Sequence, residues 1–366
     1  MFPMAPEFYA AWWRSVNNFS IELHGVKVRL HASHPQGEGP LAGLARDFAA
    51  FSTASDGVPE IDIEFCAKTP WQLQKKNELW TVCRRLHVKV LGFFNRRVCI
   101  YAGDVVAETR SRGPRRRFWI AGENLNLVRQ TAYKMLLSAL GEALDAKGIH
   151  RVHAFGFERF GHRGLLIAPS GLGKSALASV TCLNERGYKL FSDESPLLAK
   201  TRIFPFPTRL SLEPRVAEAL GLDPGELLVQ NRYRDKVLLP FPIARIAESG
   251  FADSVLIGVP SKEPEPHISP VSVWRILPIL FLNLVIGLGL AQMAEWMLRV
   301  HGVPRLIRIA LMRTRTLFHF CLHGGQFYVF HLSRNANQNS EYLERFLIAQ
   351  TETVSWLGPI SKHNYP

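Results

Sequence analysis

The chain lacks any cysteine pairing pattern. Its five cysteines, Cys66, Cys83, Cys99, Cys182 and Cys321, are odd in number and widely spaced, and no CxxC pair occurs. This excludes a disulfide framework and fits reduced core thiols. The opening residues Met1-Phe2-Pro3-Met4-Ala5-Pro6 lack a basic stretch followed by an apolar run. A secretory signal is therefore not expected, and the expected location is cytoplasmic. Acidic residues are outnumbered, 31 against 44 basic ones, for a formal net charge of +13. Such an excess attracts phosphates, acidic peptides or an anionic membrane surface. There is no zinc finger, RNP-type aromatic motif or basic heptad array to turn that charge into base readout, so nucleic acid is not an expected partner. Internal repeats and low-complexity tracts are also missing.

What is present suits a folded protein of two or three domains: 366 residues, 47% of them hydrophobic. Between about 20 and 145, short stretches alternate apolar and polar residues, as in Glu60-Ile61-Asp62-Ile63-Glu64-Phe65 and Leu86-His87-Val88-Lys89-Val90-Leu91. A period of two predicts half-buried antiparallel strands. From Asn126 to Asp145 the apolar spacing changes to three and four, which predicts an amphipathic helix. These features define an N-terminal α+β domain over residues 1–148. Arg110 to Arg117 packs five arginines into eight residues around Gly113-Pro114. Such a loop could hold a phosphate or an acidic peptide, although a solvated hairpin tip is the simpler reading.

From Arg151 onward the order is strand, glycine-rich loop, helix, strand, the start of an α/β unit that continues over 149–366. Leu165-Leu166-Ile167 lead into Ala168-Pro169-Ser170-Gly171-Leu172-Gly173-Lys174-Ser175, and a helix-forming run follows. This is the layout of a P-loop. Gly171 and Gly173 let backbone N–H groups turn inward around phosphate oxygens at the positive end of the next helix. Ser170, Gly171, Leu172, Gly173, Lys174 and Ser175 are the candidate nucleotide-binding residues. Lys174 would reach the β and γ phosphates of ATP, and the Ser175 hydroxyl would ligate Mg²⁺. One departure stands out: the full pattern asks for glycine where Ala168 lies.

A helix over Lys174 to Arg186, stopped by Gly187, is expected next. Tyr188-Lys189-Leu190-Phe191-Ser192 then delivers two adjacent carboxylates, Asp193 and Glu194. In a parallel sheet the C-terminal ends of neighbouring strands share an edge, so both carboxylates would arrive beside the phosphate loop. One can hold Mg²⁺ while the other takes a proton from an incoming hydroxyl. A helix cap or solvated turn before Pro196 is the competing reading. His153, ahead of the loop strand, reads by itself as a structural residue.

His153-Ala154, Gly164 to Ile167, Ser170 to Ser175 and Arg186 to Leu190 leading into Ser192-Asp193-Glu194 together resemble HPr kinase/phosphorylase over about 45 residues, Arg151 to Pro196. The resemblance implies a fold shared with phosphoenolpyruvate carboxykinase, and phosphoryl transfer from a nucleotide to a serine hydroxyl. It implies Asp193 as general base, Lys174 on phosphate, Ser175 and Glu194 near the metal, and His153 in the site. Glu194 stands where that family commonly has a second aspartate, and its later signature for phosphorolysis and HPr docking has no counterpart here. The chain thus looks like the HPr-kinase-related branch, whose members phosphorylate ribosomally made (lasso-type) precursor peptides or lie near polysaccharide operons. Self-association into a homo-oligomer also follows from the resemblance.

The 19 positions from Ile276 to Ala294 carry no charge, and arginines follow at 299, 305, 308, 313 and 315. The segment at about 272–316 reads first as a buried core helix, next as association with an anionic membrane surface, and last as a span, against which Pro278, Asn283, Gly287, Gly289 and Gln292 argue. The expected protein is an ATP- and Mg²⁺-dependent serine kinase of a peptide or protein substrate. The alternatives are a nucleotide-binding module without transfer activity, free or membrane-associated, and a kinase for a small molecule or sugar.

Overall fold

The computed structural model describes residues 17–54, 57–74, 80–85, 88–93, 95–101, 104–112, 115–169, 171–183, 187–219, 228–230, 235–290, 292–293, 296 and 303–356. It is a mixed α/β protein of two compact units. One comprises Met1–Lys147, Val229–Asp235 and Ala291–Ile309; the other comprises Gly148–Leu228, Lys236–Leu290 and Ala310–Pro366.

The first unit is built on an eight-stranded sheet. Its strands are β1 (Asn18–Leu23), β2 (Val26–Ala32), β3 (Ile61–Phe65), β4 (Trp80–Arg85), β5 (Val88–Phe93), β6 (Arg96–Tyr101), β7 (Val106–Arg112) and β8 (Arg115–Ala121), in the order β1-β2-β3-β8-β7-β6-β5-β4. Alternation marked the strands, but β3 pairs parallel to both β2 and β8 instead of antiparallel. The reason is the helix α1 (Glu38–Asp47), which carries the chain back across the sheet between β2 and β3; a crossover of that kind makes neighbours parallel. The helix α2 (Leu125–Ala146) forms where the 3.6 period predicted it. Asn124 caps it, its side chain accepting from the Leu127 N–H at 3.0 Å.

Three of the five hairpin arginines have acidic partners on the sheet or on α2. Arg110 bonds the fully buried Glu108 at 3.1 Å, and Arg96 reaches the same carboxylate at 2.8 Å. Arg116 pairs with Glu142, and Arg117 pairs with Glu64 at 2.9 Å. Arg110 and Arg117 both lie over the Trp119 ring. Gly113 and Pro114 lie outside the described residues.

The second unit is built on a six-stranded mixed sheet. Its strands are β9 (Phe155–Arg159), β10 (His162–Ile167), β11 (Lys189–Ser192), β12 (Ser254–Pro260), β13 (His267–Pro270) and β14 (Gln326–Leu332), in the order β11-β9-β10-β12-β14-β13. β10, β12 and β14 are mutually parallel. β9 is antiparallel to both β10 and β11. The hairpin β9–β10 turns through Phe160 (φ +52°) and Gly161 (φ +74°), the left-handed pair that a tight two-residue turn requires.

Alternate side chains of β10 enter two cores. Leu166 faces a cluster with Leu177, Leu190, Phe330, Leu343 and Leu347. This side is covered by α3 (Lys174–Leu183) and by the C-terminal helix over Ala336–Trp356. Leu165 and Ile167 face Ile276, Leu284, Leu317 and Phe320 on the other side, which belong to α4 (Val273–Leu280), a π-helical turn over Phe281–Ile286, and α5 (Val303–His323). The C-terminal helix over Ala336–Trp356 is α6.

The uncharged stretch from Ile276 is thus a core helix on one face only. Ile276, Leu280 and Leu284 are buried, whereas Phe281, Leu282 and Ile286 are exposed. Among the described residues no helix is long and apolar enough to cross a membrane. Gly287 ends the π turn at φ +72°, and the buried Arg313 donates to the carbonyls of Leu284 and Val285 at 3.4 and 3.3 Å, satisfying groups the helix end leaves open.

Candidate functional site

The glycine-rich loop leaves the C-terminal end of β10 and enters α3 at Lys174. Gly171 and Gly173 hold φ of +90° and +82°, conformations that cost an L side chain strain. Around both, a Cβ would meet nothing within 4 Å, so the two positions are held by backbone conformation and not by crowding. Ser170 lies outside the described residues. Leu172 packs against the core on the α3 side of the sheet. Leu177 N–H bonds the Gly173 carbonyl at 2.9 Å, beginning the helix, with Ser175 half-buried in its first turn.

Ala168 sits where the full motif has glycine, and the structure gives the physical reason it fits. Its φ is not positive. Its methyl group occupies space opened by Gly258 on the adjacent β12, where an added Cβ would fall 2.6 Å from the Ala168 Cβ. The small residue has moved from the loop to the neighbouring strand. The Ala168 carbonyl accepts a hydrogen bond from the Lys174 ammonium.

Asp193 and Glu194 do come to this edge of the sheet, but by a route other than the expected one. β11 is the edge strand, and the antiparallel β9 is inserted between it and β10. Two antiparallel steps restore the direction, so β10 and β11 still end at the same edge. The register makes them level: Phe155 lies opposite Leu166, and Gly156 lies opposite Ser192. The Ser192 hydroxyl then accepts from the N–H groups of Glu194 and Ser195, at 3.3 and 3.0 Å, and turns the chain sharply. The turn leaves Asp193 buried and Glu194 exposed.

The segment holding His153 runs beside that turn. Val152 N–H bonds the Pro196 carbonyl at 3.0 Å, and Ala154 N–H bonds the Glu194 carbonyl at 3.2 Å. His153 Nε2 consequently stands 3.1 Å from the Lys174 Nζ. With the ammonium as donor, Nε2 accepts and the ring proton sits on Nδ1. Burial and the Lys174 charge both hold the imidazole below its ordinary pKa, so the ring is neutral at neutral pH.

Two buried groups of opposite type are pushed toward neutrality. Burial lowers Lys174 to about 8, against the charges of Glu194 and Asp193, which favour the ammonium. Burial raises Asp193 to about 7; the Glu194 carboxylate adds to the rise, and the Ser211 backbone, its own backbone and Lys236 oppose it. Lys174 is thus a buried cation whose compensation by the protein is incomplete, as expected at a docking point for an anion.

Sequence reasoning missed two members of this neighbourhood. Lys236 lies in a strand, Asp235–Pro240, that pairs with Arg209–Leu212, and its charge acts on both Asp193 and His153. Nothing in the surrounding proline-punctuated sequence marks it. Gly289 is the other: at φ +86°, its backbone lies so close to the His153 ring that an added Cβ would overlap the ring atoms.

Gly289→Ala is therefore expected to lower stability by roughly 1–3 kcal/mol, from backbone strain plus the clash. Thermal melts of Gly289→Ala, His153→Ala and the double variant check this. With the ring removed, only the φ strain should remain, so the two costs should fall short of additivity.

Among the described residues, no three His, Cys, Asp or Glu side chains gather into a metal cage. A hard cation here would take the Ser175 hydroxyl and one carboxylate from the chain, with phosphate oxygens and water completing the shell, as Mg²⁺ accepts. A glycine-rich turn entering a helix N-terminus, a partly compensated buried ammonium and a nearby acid also fit a nucleotide's phosphates. No protein-family model and no curated protein matches the chain.

Proposed function

We propose that the chain is an ATP- and Mg²⁺-dependent kinase that phosphorylates a serine hydroxyl of a peptide or protein, with a core of the HPr kinase and phosphoenolpyruvate carboxykinase type. The observation that carries this reading is the pairing of Lys174 and Asp193. Both are buried, both are displaced toward neutral pKa, and they follow two strands running in the same direction, Asp193 directly after β11 and Lys174 at the far end of the loop after β10. A base near pH 7 is well matched to taking a proton from a hydroxyl at physiological pH.

In this reading, bound Mg²⁺-ATP supplies the phosphoryl group and the metal charge. Backbone N–H groups between Pro169 and Lys174 hold the phosphates, and Lys174 offsets their negative charge. Ser175 and Glu194 hold the metal. Asp193 accepts the proton of the acceptor hydroxyl, and neutral His153 keeps Lys174 directed into the loop. The resemblance to the HPr-kinase-related branch supports a ribosomally made precursor peptide as acceptor, and the net charge of +13 suits an acidic one. The cytoplasm is the compartment this reading assigns. Among the described residues Cys66, Cys99, Cys182 and Cys321 are unpaired, in keeping with a reducing environment.

Radiolabelled ATP with candidate precursor peptides tests the proposal. Label is expected on a peptide serine, and its replacement by alanine should remove the signal. Equal label transfer by a Lys174→Ala, Asp193→Ala double variant would rule the assignment out. ATP binding with neither transfer nor hydrolysis would favour the non-transferring module instead.

A further inference from the structure

In the second unit, exposed apolar side chains are concentrated on one pair of elements. Of the thirteen large hydrophobic residues exposed there among the described residues, nine fall in α4, the π turn with the loop after it, and α5. Trp274 is 70% exposed, and Phe281, Leu282 and Ile286 follow it along the face opposite the buried Ile276, Leu280 and Leu284. On α5, Leu311, Phe318 and the 71% exposed Leu322 lie at spacings that share one helix face, opposite the buried Leu317 and Phe320. The two elements pack on each other through Leu284, Leu317 and Phe320. An apolar surface this concentrated marks an interaction site.

The charge on these elements identifies the partner. Between Glu265 and Glu341 the sequence has seven arginines, no lysine and a single acid, Glu295; on α4 and α5 Arg275, Arg308 and Arg315 are exposed, while Arg313 is buried and Arg305 pairs with Glu142 at 2.8 Å. Arg275 is exposed next to Trp274, and Arg315 is exposed in line with Leu311, Phe318 and Leu322. A second copy bringing the same face would set arginine against arginine, because a two-fold interface is self-complementary only where its charges are. A bilayer with acidic headgroups meets both features at once. Apolar side chains sink into the acyl boundary, arginines stay at the headgroups, and an exposed tryptophan fits the interface between them.

We infer that this face, formed by α4, the π turn and the exposed stripe of α5, docks in the plane of an anionic membrane surface. The loop that continues this face adjoins the phosphate site, since the backbone of Gly289, just beyond the π turn, is close enough to the His153 ring that an added Cβ would overlap it. Docking would therefore hold the site close to the membrane plane. The inference does not depend on the kinase reading, because it rests on exposure and charge alone.

Sedimentation of the full chain with phosphatidylcholine vesicles, with and without phosphatidylserine and without nucleotide, tests it. Binding is expected with phosphatidylserine and should weaken as salt is raised. Arg275→Gln and Arg315→Gln should each weaken it about fivefold. Trp274→Ser and Phe281→Ser should weaken it on any vesicle that binds. All four positions are exposed, so folding should persist, and circular dichroism checks that. Equal binding to both vesicle types, or none to either by a folded protein, overturns the inference. So does self-association that Phe281→Ser abolishes, since it would give the face to a second copy.

Discussion

Asp193→Asn is expected to lower phosphoryl transfer about 10²- to 10⁴-fold while making the protein without nucleotide more resistant to heat. The loss follows from removing the group placed to take the acceptor proton. The gain follows from burial. Asp193 has an ordinary pKa of 3.8 and is raised to about 7 in the folded chain. Between those values the unfolded chain releases the proton and the folded chain keeps it, so folding stability falls as pH rises through this window and levels off above about pH 7. The shift corresponds to roughly 4 kcal/mol as an upper bound, of which the uncharged asparagine should recover a part. Its amide oxygen can still accept from the Ser211 backbone, which now helps to hold the carboxylate. A melting temperature several degrees above wild type is expected at about pH 8, narrowing toward about pH 4. Thermal melts across pH check the stability claim, and transfer rates on the same samples check the catalytic one. A variant that melts lower at about pH 8 would show that the buried carboxylate is well compensated, and one that transfers at the wild-type rate would remove Asp193 from the mechanism.

Lys174→Met should weaken Mg²⁺-ATP binding about a hundredfold, the scale of a charge-assisted contact to phosphate lost from a buried site. Methionine retains much of the apolar stem and removes the ammonium, so the loop should keep its shape. A finer signature separates this role from a structural one. Lys174 lies near pKa 8 in the free protein because burial opposes its charge. Bound phosphates favour the ammonium, so nucleotide binding at about pH 8 should draw a proton from solution. Calorimetry in buffers of different ionisation enthalpy reads that uptake, which should shrink in Lys174→Met. The same pKa, below the ordinary 10.5, means that without nucleotide the folded chain loses this proton before the unfolded chain does. Its contribution to stability is unfavourable below about pH 8 and is relieved as pH rises from 8 toward 10.5. Unchanged nucleotide affinity in the methionine variant would end the phosphate-binding reading of the loop.

The effects of Asp193 and Lys174 should not be independent, since the Asp193 charge favours the Lys174 ammonium. The double variant should therefore depart from the sum of the two single ones in thermal melts at about pH 8.

Several parts of this molecule are written in short stretches of chain. Apolar residues before Ala168, glycines at 171 and 173, and a helix-forming run from Lys174 specify strand, loop and helix, because each acts on its own backbone or on neighbours a turn away. Gly187 at φ +72° follows the same local logic, as do Asn124 capping α2 and the alternation that sends Leu165 and Leu166 to opposite cores. Long-range partners decided the rest. β9 came between the two strands that carry the site, β3 became parallel through a crossover, and the methyl of Ala168 found its room at Gly258, 90 positions along the chain. The proton affinities of Lys174 and Asp193, the presence of Lys236 and Gly289 beside them, and the partners of the hairpin arginines arise only when distant segments are brought together. Burial and Coulomb interaction depend on separation in space, which sequence order does not encode. The amino acids alone thus named the groups able to do the chemistry, and packing set their charge states and their neighbours.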